Sequence, residues 1–271
     1  MLIPDFHLLF MLKVENLKVG FPGNPVLEGL DIEIRDNARV AVVGENGSGK
    51  TTLFRSMLGL AAPESGTVSY DGTEIGSGTR IMGVSGNLPE CYRFLPLSCR
   101  DLVLAYSELK EMDSGQVLEL MRDFSLGRIL TWKPWKLSTG EQKLLYTILA
   151  LKSATRLAIL DEPFENVDFQ RKQKLVDLIA GTDLSVLLST HDSTVLEGLG
   201  GWEMYIMLAG KLFGPLDPVQ AGKYFFNEGE PDDAALAFTI SGKRYSITLG
   251  SGEIPLASIE MVSSAAGGKQ R

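Results

Sequence analysis

Two cysteines and two histidines are all that this 271-residue sequence holds of the residues that build disulfide frameworks and zinc sites. Cys91 and Cys99 have no Cys or His companion at zinc spacing, so neither scaffold is supported and a reducing cytosol fits best. Nor is there a run of about 18 apolar residues, which excludes a chain that spans a membrane by itself. The apolar stretch Phe6 to Leu12 is short, contains His7 and has no basic residue before Lys13. It does not read as a signal peptide, and Met11 serves as well as Met1 for a natural start. Positive charge is in deficit too: 26 Lys and Arg against 34 Asp and Glu give a net −8. Without an overall basic field, nucleic acid is not expected as a partner. The rest is ordinary globular composition, 44% hydrophobic, 8% aromatic and 22% charged, in a length that can bury a large core.

Residues 12 to 34 read as two strands, Leu12 to Val19 and Val26 to Ile34, around the turn-rich Phe21-Pro22-Gly23-Asn24-Pro25. Arg39 to Val43 is a continuous β-branched run, as a strand buried on both faces of a parallel sheet requires. A glycine-rich stretch follows, and then Thr51 to Leu58 carries a helical apolar stripe ended by Gly59. Short strands are expected at Thr67 to Tyr70 and Ile81 to Val84. From Leu88 to Lys152 the character is helical, with Asp101 to Met112, Ser114 to Phe124 and Ser138 to Leu151 as the best segments. The strand signal returns at Leu157 to Leu160 and Ser185 to Leu188, on either side of a helix at Phe169 to Ala180. This alternation predicts an α/β fold with a parallel sheet and an inserted helical subdomain at about 88–152. Beyond Gly214, Phe238 to Ile240 and Tyr245 to Leu249 alternate around Ser241-Gly242-Lys243, a hairpin pattern in a C-terminal extension, 215–271, expected to dock on the core.

Gly44-Glu45-Asn46-Gly47-Ser48-Gly49-Lys50-Thr51 matches the G-x-x-x-x-G-K-[ST] phosphate loop and lies between the predicted buried strand and helix. Glycines let successive N–H groups point at phosphate oxygens, and the helix N-terminus adds its positive dipole end. Lys50 is expected to reach the β and γ phosphates of ATP, Thr51 to place a hydroxyl on Mg²⁺, and Thr52 to lie next in line. Asp161, at the end of the buried strand Leu157 to Leu160, is placed to hold the Mg²⁺ hydration shell.

Leu137-Ser138-Thr139-Gly140-Glu141-Gln142 resembles the L-S-G-G-Q signature of ATP-binding cassette (ABC) proteins, and Ser138 with Glu141 also spells a capping box. Glu162 resembles the family's general base, Glu162 to Asp168 its D-loop, and His191 the switch histidine that meets the γ phosphate. Phe21 stands where the family stacks an aromatic on adenine, or staples the first hairpin. The matches run over about residues 13 to 214. They imply a P-loop NTPase core of the ABC type at 11–214, with a mixed sheet, an antiparallel β side and a helical signature subdomain. The resemblance further implies a subunit that powers a transporter through ATP-driven head-to-tail dimerisation, with Ser138 and Gly140 facing the ATP of a second cassette, identical or not. The spanning permease subunits would be separate chains, and the protein would sit peripherally at the cytoplasmic face of the membrane. A phosphate-loop kinase gives no reason for the signature, the Asp161-Glu162 pair and His191 at these spacings.

One departure stands out. The family has a glutamine where the chain enters the helical insertion, and here Ser85-Gly86-Asn87-Leu88-Pro89 has none. Gly86 occupies the matching place. Asn87 either supplies a carboxamide to the nucleotide and metal from one position later or begins an Asn-Leu-Pro turn. The alternative reading is therefore a non-transport or regulatory ABC ATPase with slow hydrolysis.

Overall fold

A computed structural model describes residues 11–21, 24–79, 81–88 and 96–266. Phe21 closes a strand but its side chain lies outside the described residues, as does Cys91. The chain begins β1 (Leu12–Phe21), β2 (Asn24–Ile34), β3 (Arg39–Val43), α1 (Lys50–Met57), β4 (Ser65–Tyr70), β5 (Thr73–Glu74) and β6 (Val84–Gly86). The helical insertion holds α2 (Cys99–Lys110), α3 (Ser114–Asp123) and α4 (Thr139–Ser153). Then follow β7 (Leu157–Leu160), α5 (Phe169–Ala180), β8 (Ser185–Thr190), β9 (Glu203–Leu208) and β10 (Lys211–Leu216). The C-terminal part adds β11 (Tyr224–Glu228), β12 (Leu236–Ile240), β13 (Lys243–Leu249), β14 (Ile254–Pro255) and α6 (Ile259–Ala265).

The central sheet has the order β10-β9-β3-β8-β7-β6, parallel from β9 to β6, with β10 antiparallel at one edge. Its strands alternate their side chains between two cores, as the period-2 pleat dictates. Ala41, Val43, Ala158, Leu160, Val186 and Leu188 face the core shared with the insertion, α5 and the C-terminal part. Val40, Val42, Leu157, Ile159 and Leu187 face α1 and the antiparallel sheet β2-β1-β4-β5. Burial on both faces explains the unbroken apolar runs Val40 to Val43, Leu157 to Leu160 and Val186 to Leu188 within β3, β7 and β8. Arg39 opens β3 and donates to the carbonyls of Ala180 (2.8 Å) and Thr182 (2.5 Å), satisfying the C-terminal end of α5.

The structure adds β5, β9 and β10 to the strands expected from the sequence, and two further regions differ from the expectation. The strand expected at Ile81 to Val84 starts only at Val84, because Gly83 takes a left-handed conformation (φ 76°) and its carbonyl gathers the N–H groups of Thr155, Arg156 and Leu157. The C-terminal part is more than a hairpin: β12 and β13 belong to a four-stranded sheet, β12-β13-β11-β14, followed by α6. Phe213 of β10 stacks on Phe238 of β12 with centroids 4.1 Å apart, and Phe226 stacks on Tyr245 at 5.1 Å. Such pairs add about 0.5–1.5 kcal/mol each beyond their buried area. Among the described residues no helix is long and apolar enough to cross a membrane.

Candidate functional site: the phosphate loop and the ends of β7 and β8

The loop from Gly44 to Gly49 leaves the end of β3 and delivers the chain into α1. Gly49 holds φ 113°, and a Cβ there would lie 2.8 Å from Leu27 Cδ2, so the loop reaches the helix by a path open only to glycine. Among the described residues α1 has no side-chain cap, leaving its first N–H groups for an anion, and the buried Ser48 hydroxyl has no partner. Lys50, 5% exposed, folds back over the loop and donates to the carbonyls of Gly44 (2.7 Å) and Glu45 (2.9 Å). Its ammonium also lies 3.0 Å from Glu162 Oε1, an ion pair without hydrogen-bond alignment.

Opposite the loop, β7 is followed directly by Asp161 and Glu162. Asp161 accepts from Thr51 Oγ1 at Oδ2 (2.8 Å) and from Ser189 Oγ at Oδ1 (2.7 Å). Ser189, the last but one residue of β8, also accepts the Glu162 N–H at 2.9 Å, so one hydroxyl ties the two acidic residues to the neighbouring strand. His191 follows β8, with Nδ1 2.9 Å from Glu162 Oε2 and its backbone N–H on the same oxygen at 3.3 Å. Lys50, Thr51, Asp161, Glu162 and His191 thus form one bonded network. Sequence reading singled out all five and missed Ser189, for which adjacency to the Thr190-His191 pair was the sole signal.

Of the other predicted residues, Asn46, Gly47, Gly49 and Thr52 line the same cavity as Lys50, Thr51 and Glu162 without joining that network. Asn46 and Gly47 are exposed at the loop's tip, and the side chain of Glu45 bonds Ser263 Oγ of α6, a contact between residues 218 positions apart that no local pattern signals. Ser138 caps α4: its hydroxyl accepts the Glu141 N–H (3.3 Å), and its own N–H donates to Glu141 Oε2 (3.0 Å). Burial pushes the Glu141 carboxyl up, but the Ser138 donors and the Arg128 guanidinium outweigh it and hold it below its ordinary value. Gly140 packs against the D-loop so closely that a Cβ would lie 2.1 Å from the Asn166 carbonyl oxygen. Gly140→Ala is therefore expected to cost about 1–3 kcal/mol of overpacking, read as a lowered melting temperature. An unchanged melt would mean that residues 165–167 yield freely.

Asn87 is followed at two residues by Pro89, which lies outside the described residues, so the Asn-Leu-Pro turn falls there too. Its carboxamide is bonded inside the protein: Nδ2 donates to Thr147 Oγ1 (3.0 Å) and the Asp161 carbonyl (3.2 Å), and Oδ1 accepts the Asp161 N–H (2.7 Å). The residue is 2% exposed.

No group of three His, Cys, Asp or Glu among the described residues could cage a metal ion. A Mg²⁺ of the phosphate-loop type needs no such cage, since it takes one or two protein oxygens and completes its shell with phosphate and water. The adjacent Thr51 hydroxyl and Asp161 carboxylate are hard oxygen donors of that kind and fit the ion. With a phosphate cradle on one side and a carboxylate-imidazole pair on the other, the site can hold a nucleotide's terminal phosphate beside a base.

The sequence matches the ABC transporter family model over residues 27–165. It is 30% identical over 190 residues to the zinc import ATP-binding protein ZnuC of Paramagnetospirillum magneticum, covering 69% of this chain and 70% of that one. It is 31% identical over 206 residues to the lipoprotein-releasing system ATP-binding protein LolD of Pseudomonas syringae pv. tomato, covering 68% and 90%. In structure it resembles an ATP-binding protein named for cobalt transport (cbiO-2), with a TM-score of 0.85 and 32% identity over 96% of this chain and 100% of the other. Fold, loop and relatives agree, and the chain belongs to the ABC transporter ATP-binding family.

Proposed function

We propose that this chain is the subunit that binds Mg·ATP and hydrolyses it to power an ABC transporter, closing head to tail with a second cassette around two ATP molecules. The observation that carries the reading is the network in which Lys50 of the phosphate loop touches the same Glu162 that His191 holds from the other side.

The loop N–H groups and the uncapped start of α1 receive the phosphate oxygens, and Lys50 exchanges its carbonyl and carboxylate partners for the terminal phosphates. That exchange frees Glu162 Oε1, while His191 keeps Oε2 in place. Glu162 is then a fixed carboxylate ready to take a proton from the water that attacks the γ phosphate. Thr51 and Asp161 would hold Mg²⁺, which when bound neutralises charge developing on the phosphate oxygens. Ser138 and Gly140, at the start of α4, are assigned to the ATP of the partner cassette, and Phe21 at the end of β1 to the adenine.

Residues 11–214 make up the nucleotide-binding unit in this reading and 215–271 an extension docked on it, supported by the Phe213-Phe238 stack and the Ser263-Glu45 bond. The relatives are named for zinc import, lipoprotein release and cobalt transport, three different cargoes on one ATPase design. Cargo choice accordingly belongs to separate spanning permeases, which hold this subunit at the cytoplasmic face of the membrane. A slow, regulatory or non-transport cassette is the second reading, favoured by Gly86 standing where the family has a glutamine and by Asn87, one position later, whose carboxamide is already occupied.

Titration calorimetry with Mg·ATP, phosphate release at high protein concentration and copurification from membranes test the proposal. Saturable binding, turnover and capture of a membrane-spanning partner are expected. A folded chain that binds no ATP would overturn it.

A further inference from the structure

We infer that Asn87 is a positioning residue that, together with Lys143 of α4, fixes the plane of the peptide joining Asp161 to Glu162 and thereby aims the Glu162 carboxylate. The inference rests on the reading of Glu162 as the base, and it gives Asn87 a place in hydrolysis without making it a ligand of nucleotide or metal.

The argument starts from the backbone. Glu162 has φ 46°, in the left-handed region that a residue with a Cβ occupies only when its surroundings over-determine it. The peptide preceding it is gripped on both edges. Its carbonyl, that of Asp161, accepts from Asn87 Nδ2 at 3.2 Å and from Lys143 Nζ at 3.0 Å. Its N–H, that of Glu162, donates to Ser189 Oγ at 2.9 Å. Asn87 Oδ1 takes the N–H of Asp161 at 2.7 Å, so one carboxamide holds both polar backbone groups of the Asp161 residue.

This carboxamide is also anchored. The Asn87 N–H donates to the Ile159 carbonyl (3.3 Å), continuing the β6-β7 ladder by one residue, and its Nδ2 donates to Thr147 Oγ1 at 3.0 Å. Thr147 and Lys143 stand four residues apart on one face of α4, the helix that Ser138 begins. Two side chains of the signature helix therefore end on one peptide, directly through Lys143 and indirectly through Asn87. A displacement of α4 relative to β7 turns the peptide plane, and with it the carboxylate. Since both donor hydrogens and the acceptor oxygen of Asn87 are used, a swing toward the metal would break three bonds at once and leave the Asp161 N–H buried without a partner.

The test uses the full chain, with Asn87→Ala, Lys143→Met and Glu162→Gln compared at a temperature well below the melt. Asn87→Ala is expected to lower kcat at least ~30-fold, the size of effect that a small misplacement of a reacting group produces. The KM for ATP and the half-saturating Mg²⁺ concentration stay within about twofold, because no ligand is lost. Lys143→Met, a change in a partly exposed side chain, repeats the pattern at about five- to tenfold, as the loss of one of two donors to the same carbonyl should. Hydrogen exchange, measured without nucleotide, should show faster exchange at the Asp161 and Glu162 amides in both variants. A shift of the Mg²⁺ requirement by tenfold or more in Asn87→Ala would make Asn87 a metal-site residue and overturn the inference. Parental kcat in both variants, or a lowered melting temperature with parental kcat, would overturn it as well. If Glu162→Gln turns over at the parental rate, the proposed base itself is wrong, whereas a blocked Glu162→Gln beside a fully active Asn87→Ala sinks the positioning role alone.

Discussion

Lys50→Ala should lower the affinity for Mg·ATP by about 100-fold, the worth of charge-assisted bonds to phosphate in a buried site. Lys50 is nearly fully buried and is the one ammonium in the phosphate loop. The same substitution should weaken the nucleotide-free protein. The Glu162 carboxylate, also nearly buried, loses its ion-pair partner at 3.0 Å and keeps its contacts with His191. Removing one member of a buried pair costs about 3–5 kcal/mol, so the remaining His191 contacts place the loss at the lower end. Calorimetric titration reads the first effect and thermal melting the second. Parental affinity in a folded Lys50→Ala variant would remove Lys50 from the site, and a parental melt would mean that the Lys50-Glu162 pair carries no net stability.

The second large effect is on turnover. Glu162→Gln should keep nucleotide binding and lower kcat by about 100- to 10,000-fold, the range that general-base catalysis supplies. The amide preserves the shape and can still accept the His191 backbone N–H, but it cannot take a proton from water. Because the variant also removes the charge that holds Lys50 in the nucleotide-free state, ATP affinity should stay level or rise. With release blocked, light scattering should find an ATP-dependent dimer that ADP does not produce. A variant that hydrolyses at the parental rate, or stays monomeric with saturating ATP, contradicts the mechanism.

What could be read from the sequence divides along the range of the interactions. Val40 to Val43, Leu157 to Leu160 and Val186 to Leu188 announce themselves because burial on both faces leaves an unbroken apolar run, and α5 because its apolar stripe and its Asp168 cap are local. The order of the phosphate loop, the acidic pair and the histidine along the chain is equally plain. The bonds among them are not. Ser189 looks like any strand serine until β8 is laid beside β7. Asn87 meets Thr147 and Asp161 across 60 and 74 residues, bonds that neither of its local readings, turn former or carboxamide for the metal, contains. The shortened β6 was misjudged for a local reason, since a left-handed glycine at 83 does not differ in sequence from a glycine within a strand. In the C-terminal part the hairpin was visible through its Ser-Gly turn, whereas β11, β14 and α6 take their places from contacts with distant elements.

The strand order has a consequence for synthesis on the ribosome. Among the described strands, β3, which carries the phosphate loop, pairs with β8 and β9, and both are made well after it. Even the first loop residue, Gly44, rests its N–H on the carbonyl of Thr190. About 140 residues separate the end of β3 at Val43 from the start of β8 at Ser185, an interval of about seven to thirty seconds at ordinary elongation rates. Throughout that time Val40 and Val42 have no partner strand, and the loop has no frame to hold its curl. The phosphate-loop motif therefore leaves the ribosome well before the strands that frame it, the last of which, β9, ends at Leu208.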